Sequence, residues 1–234
     1  MIRQKLELIN IATIRSAKDT LTRLGQLDAQ LAEHNLSQFK VFNTTYILVT
    51  TSIHQAIKNR YFENPEFIEK VLVEFAQYYF LVINKCYNND PSIPAPWAKL
   101  NDYAALKSAP TFMSLMIGAN AHINDDLPRV LYSHIPTKKT KGLLRDLAKI
   151  NKLLMQSGKK AIYTFDEKNK FYNFLKRHLV FIYYRPAMFT ILHWRLLAWK
   201  NYTMLRKNKI TPQDITNKST KIANRLLTIA RLLS

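Results

Sequence analysis

The chain of 234 residues is 47% apolar, which excludes a disordered segment and leaves enough volume for one large domain or two small ones. Four glycines are too few for a fold rich in tight hairpin turns, so helices joined by short polar loops are expected instead. The net charge of +19 is concentrated, with 13 Lys/Arg against 12 Asp/Glu in residues 1–129 and 22 against 4 in residues 130–234. The second half reads either as a solvated lysine-rich surface or as a face for phosphate groups on nucleic acid, lipid or a soluble ligand.

Cys86 is the single cysteine, so an intrachain disulfide is excluded and a reducing compartment is expected. Met1–Glu7 lack the apolar stretch of a signal peptide. No run of 18 apolar residues occurs. The nearest, Leu179 to Trp199, is broken by Arg185, Pro186, His193 and Arg195. A cytoplasmic chain without a transmembrane span is the resulting expectation.

In chain order, Leu21, Leu24, Leu27 and Leu31 form an apolar stripe on a helix spanning Ser16 to Glu33. Ser37 suits the cap of a second helix through Phe39, Phe42, Tyr46 and Val49 to Lys58. Asn64-Pro65 marks the start of a third, ending near Tyr87. The turn-rich stretch Asn88 to Pro96 follows, then a short helix from Trp97 to Leu106 and a central one over 111–127. Thr137 to Gly142 reads as a basic loop before a helix from Leu143 to Gln156, which Gly158 terminates. Two helices flank Arg185-Pro186, because proline breaks or kinks a helix. Aromatics and arginines mix around them, as a core helix with solvated arginines or an interfacial helix on an anionic membrane. A last helix starts at Thr211-Pro212. The pattern predicts one all-α domain over 1–234, a bundle of roughly eight helices around a buried central one, with basic C-terminal helices over about 160–234.

The central helix carries the most information. Leu115 to Pro128 reads as apolar, yet it contains Asn120, His122, Asn124, Asp125 and Asp126. Asn and Asp are poor helix-interior residues, and burying them requires partners. At about 100° per residue His122 and Asp126 share one face, while Asn120 and Asn124 point nearly opposite. The asparagine pair suits bridging to neighbouring helices. The His122/Asp126 pair suits a proton relay or two ligands of a divalent metal, or else a satisfied core hydrogen bond. A metal would need further ligands, for which His54, Glu74 and Asp146 qualify by residue type alone. Gly118, one turn before His122, leaves space over that face for a ligand or a close-packed helix.

Gly118-Ala119-Asn120-Ala121-His122-Ile123-Asn124-Asp125-Asp126-Leu127 resembles the signature G-x-N-A-H-I-N-x-D-L of the bacterial domain-of-unknown-function family 5995. Phe42 to Thr50, Phe62 to Phe67, Phe75 to Tyr79, Trp97 and, more loosely, Asp146 to Asn151 look similar as well, so the likeness covers about 20–155. The resemblance implies a helical domain with a polar centre at Asn120, His122, Asn124 and Asp126, joined by Thr50 and Tyr79. It brings no reaction with it. The combined expectation is an enzyme whose buried His122/Asp126 site, with or without a divalent metal, takes a small apolar or phosphorylated molecule. The alternative is a non-catalytic protein whose basic C-terminal half binds anionic membrane or nucleic acid.

Overall fold

A computed structural model describes residues 7–135, 142–164, 174 and 180–234. The basic loop expected at Thr137 to Gly142 therefore falls, Gly142 apart, outside the described residues. Those residues form helices and no strand. In chain order they are α1 (Ala17–Gln30), α2 (Lys40–Lys58), α3 (Pro65–Tyr87), α4 (Ala95–Ala104), α5 (Thr111–Asn120), a π-helical turn (Ala121–Asp126), α6 (Leu127–His134), α7 (Leu143–Thr164), α8 (Val180–Arg206) and α9 (Pro212–Leu232). Counting the unbroken rod from Thr111 to His134 once gives eight helices among the described residues.

Several ends follow local chemistry. Ser16 caps α1 by accepting from the Asp19 N–H, and Thr211 and Asp214 form a reciprocal capping box at α9. Pro65 occupies the first turn of α3, where a missing N–H costs nothing. Asn64 precedes it without capping. Its Nδ2 donates instead to Asp146 of α7, whose carboxylate also accepts from the Glu63 and Asn64 backbone N–H groups at 2.8 and 2.9 Å. Ser37 is no cap either, because it opens a short 3-10 turn that runs into α2.

Two expected breaks are absent. Gly158 lies inside α7, where a Cβ would come within 2.5 Å of the Met188 sulfur. The glycine is thus a close approach between α7 and α8, not a terminus. Pro186 sits within α8, which continues through it. Proline removes one backbone bond, and the buried Ala187 and Met188 immediately after it hold the following turns against the bundle.

The α5–π–α6 rod runs through the middle. Every residue from Met113 to Pro128 is buried, and the rod packs against α2, α3, α4, α8 and α9. Among the described residues no helix is long and apolar enough to cross a membrane.

Candidate active site

The register of the central rod changes where its polar residues cluster. Within Ala121–Asp126 the backbone adopts π geometry, with the Leu127 N–H reaching back five residues to the His122 carbonyl. Pro128 follows at the start of α6, so its missing N–H falls beside this change of register. Widening keeps i and i+4 side chains together on each face. Asn124 Nδ2 donates to Asn120 Oδ1 at 3.0 Å, and His122 Nδ1 lies 3.0 Å from Asp126 Oδ2.

The asparagine face is tied to α9. Asn120 Nδ2 donates to the Ser219 carbonyl at 2.9 Å. Asp125 binds the same helix through Thr216, whose hydroxyl donates to it at 2.8 Å, and through Arg129 at 3.2 Å. Arg129 also donates to the Pro212 carbonyl. These side chains fasten the rod to the start and middle of α9.

The His122 face is enclosed differently. Five aromatic residues from three helices surround the imidazole: Phe42 and Tyr46 of α2, Phe75 and Tyr79 of α3, and Trp97 of α4. Phe75 stacks on it with ring centres 3.5 Å apart and planes 9° apart. Tyr46 meets it edge-on at 4.9 Å. Phe42/Tyr46 and Phe75/Tyr79 are each one helical turn apart, so each helix presents two rings to the same point. Phe42 fills the space above Gly118, where a Cβ would stand only 2.9 Å from its ring.

Burial fixes the electrostatics of the pair. It pushes the His122 imidazole well below its usual range. It pushes the Asp126 carboxyl well above its own, and the adjacent Asp125 charge adds to the effect. The Trp97 N–H, which donates to Asp126 Oδ2 at 3.1 Å, and Arg129 act in the opposite direction. Both groups thus favour their neutral forms. Tyr46 and Tyr79 are also raised well above the ordinary tyrosine value, chiefly by burial, and remain phenols able to donate.

Four polar atoms in this region are buried without a hydrogen-bond partner: His122 Nε2, the Tyr46 and Tyr79 hydroxyls, and Thr50 Oγ1. Each such orphan costs about 1–3 kcal/mol when left unpaired, which sets this side of the rod apart from the satisfied asparagine face. A cavity of about 100 Å³ is lined by His122, Tyr46, Phe42 and Phe75 together with Gly158 and Met188. A neighbouring one of about 280 Å³ shares Tyr46, Val49, Phe75, Leu154 and Arg195 with it and adds Thr50.

The metal candidates do not assemble. Among the described residues no three His, Cys, Asp or Glu side chains gather as a metal-binding set. Asp146 is occupied at the start of α3, and Glu74 is paired with His134. His54, two turns beyond Tyr46 on α2, also has a buried ring nitrogen without a partner, but lines neither cavity. The donor set at His122 and Asp126 is two residues, short of the three or four a zinc-like site uses.

A family model described as a family of unknown function (DUF5995) matches residues 17–234. The chain belongs to this family. The match extends through α8 and α9, so the basic C-terminal third, which the residue-level resemblance over 20–155 leaves out, is part of the DUF5995 domain as well. Neither a search of curated proteins nor one of solved structures finds a match to the chain. The stretches that carry the DUF5995 resemblance meet in space: Phe42 to Thr50, Phe75 to Tyr79 and Trp97 supply the rings and hydroxyl groups around the central motif.

Sequence reasoning did not single out Phe42, Tyr46 and Phe75 as site residues, nor the cavity-wall role of Arg195. Aromatic pairs spaced four apart on α2 and α3 were the available signal. For Arg195 it was one cation placed among Trp194, Leu196 and Leu197.

Proposed function

We propose that the chain is an enzyme of general acid–base chemistry acting on a small, largely apolar molecule, with His122 as the proton-transferring group. The observation that carries this reading is the asymmetry of the imidazole. Nδ1 is held by Asp126, whereas Nε2 has no partner and lies within a cage of aromatic rings beside a cavity. A dyad held at one nitrogen and free at the other is the arrangement by which a carboxylate orients an imidazole for proton transfer.

In this reading Asp126 and the Trp97 N–H fix the ring. With both groups neutral, Asp126 Oδ2 accepts from His122 Nδ1–H as it does from the Trp97 N–H, which leaves the Nε2 lone pair for an acidic C–H or O–H of the ligand. The proton moves to Nε2, and the resulting imidazolium is held through its Nδ1–H by Asp126 Oδ2. The electron pair stays on the ligand, where the Tyr46 hydroxyl is the unpartnered donor whose residue lines the cavity. Return of the proton from Nε2 to another ligand atom completes an isomerisation or exchange without a metal or redox partner.

The test is solvent-deuterium exchange, followed by NMR, into a panel of apolar carbonyl compounds and acyl esters, with His122→Gln as comparison. Exchange catalysed by the wild-type chain and lost in His122→Gln, with ligand binding retained, is expected. Equal exchange by both proteins would remove His122 from the chemistry.

A further inference from the structure

Arg195 is a cation placed against an apolar enclosure. It contributes to the walls of both cavities, and its recorded hydrogen bond is from Nε to Asn151 Oδ1 at 2.6 Å. Among the described residues neither terminal guanidinium nitrogen has a hydrogen bond, and no carboxylate pairs with the group. Burial lowers its pKa to about 10, which still leaves it charged at neutral pH. The larger cavity is otherwise walled by side chains such as Ile53, Ile68, Leu72, Leu131 and Leu147. Its rim includes Leu144 and Leu196, each 66% exposed, so the enclosure opens to the surface between α7 and α8.

A partly desolvated guanidinium fork with only an amide neighbour is costly unless an anion completes it, and its geometry matches carboxylate or phosphate oxygens. Apolar walls around that single fixed charge select a molecule with one anionic end and a hydrocarbon body. We infer that the two adjoining cavities bind a single-chain amphiphile whose acidic head sits on Arg195 and whose tail lies along the larger cavity toward Leu144 and Leu196. Because Arg195 stands in the wall common to both chambers, the head group lies where the cavity lined by His122 meets the one that takes the tail. This names the substrate class for the acid–base reading and rests on it for the chemistry, while the binding itself stands apart from catalysis.

The experiment is calorimetric titration of the purified chain with dodecanoate, dodecyl phosphate and dodecanol, using wild type, Arg195→Met and Val49→Trp. One anionic amphiphile per chain is expected, with dodecanol weaker. Arg195→Met lowers affinity for the anion about 10–100-fold, the range of one lost charge-assisted contact, and leaves dodecanol unchanged. The tighter of the two anions identifies the head group as carboxylate or phosphate. Val49→Trp, which fills a wall shared by both cavities, abolishes binding of all three and serves as the second variant should Arg195→Met fail to fold. Binding of dodecanol as tight as dodecanoate, unchanged anion affinity in Arg195→Met, or no binding by the wild-type chain would each overturn the inference. Binding without any turnover leaves the amphiphile site standing and sinks only the acid–base reading.

Discussion

Gly118 offers a quantitative check on the closeness of the aromatic cage. An ideal Cβ there stands 2.9, 3.1 and 3.3 Å from Cδ2, Cγ and Cβ of Phe42. The Phe42 ring cannot simply retreat, because Tyr46, Tyr79, Trp97 and His122 lie with ring centres 5.1 to 5.8 Å from it. Overpacking a well-filled core costs about 1–3 kcal/mol. Replacing a mid-helix glycine by alanine returns about 1 kcal/mol of helix propensity. Gly118→Ala is therefore expected to destabilise by up to about 2 kcal/mol. Gly25, in the middle of α1 with nothing within 4 Å of its Cβ position, is the control. Gly25→Ala receives the propensity gain alone, about 0.4–1 kcal/mol. Urea unfolding of both variants reads the difference, and calorimetry reads it as about 2–4 °C in Tm per kcal/mol for a chain of this size. Equal stabilisation by the two alanines would falsify the view that Phe42 is pinned over the dyad.

The dyad makes a pH prediction whose sign comes from two opposed shifts. His122 is lowered from 6.5, so alone it makes the fold lose stability as pH falls below 6.5, where the unfolded chain takes up a proton. Asp126 is raised from 3.8, so alone it contributes stability below 3.8 that is lost as pH rises through its folded value. Between 3.8 and 6.5 the two slopes oppose one another, so wild-type stability changes less with pH than either group alone would make it. Asp126→Asn removes the compensation and is expected to lose up to about 1.4 kcal/mol per pH unit below 6.5 relative to wild type. Parallel urea midpoints from pH 7.5 to 4.5 would contradict the assigned directions. Asn120→Ala removes the second bond to the Ser219 carbonyl, strands the Asn124 amide and is expected to cost about 1–3 kcal/mol, with faster amide exchange in α9. A loss below about 0.5 kcal/mol would deny the asparagine bridge a structural role. Cys86 is 7% exposed, and burial pushes its thiol up to about 12, so a disulfide reagent is expected to modify it only at the rate of opening. Rapid native-state labelling would show that α3 is less closely packed than described.

The sequence carried the helices better than their interruptions. Leu24, Leu27 and Leu31 announce α1, and Asn64-Pro65 and Thr211-Pro212 mark the starts of α3 and α9, because apolar period and N-terminal residues are local properties. Gly158 and Pro186 mislead for the complementary reason. Each is a helix breaker in isolation, and packing between α7 and α8 decides otherwise. The dyad was legible as an i, i+4 pair on one face. Its surroundings were not, since Phe42, Phe75 and Trp97 converge from three helices separated by long stretches of chain. The asparagine bridge was legible as polar residues needing partners, but Ser219 as the acceptor, 99 positions away, was not. The π turn left no pattern of its own, because side chains four apart remain adjacent in both registers.

The polar centre divides into two kinds of burial. On the α9 side Asn120, Asp125 and Arg129 meet partners across the helix interface and Asn124 binds Asn120, so the desolvation cost of each is offset locally. On the α2/α3 side Asp126 is satisfied by Trp97 and His122, while His122 Nε2, two tyrosine hydroxyls and Thr50 are not. If the motif served packing alone, both faces would be expected to end satisfied, since an apolar residue could replace each orphan at no loss of volume and recover about 1–3 kcal/mol. Of these groups His122, Tyr46 and Thr50 belong to residues that line one or both cavities, and Arg195 lines both. That asymmetry, more than the presence of a histidine and an aspartate, is what gives one face of the central helix a candidate chemical role and the other a structural one.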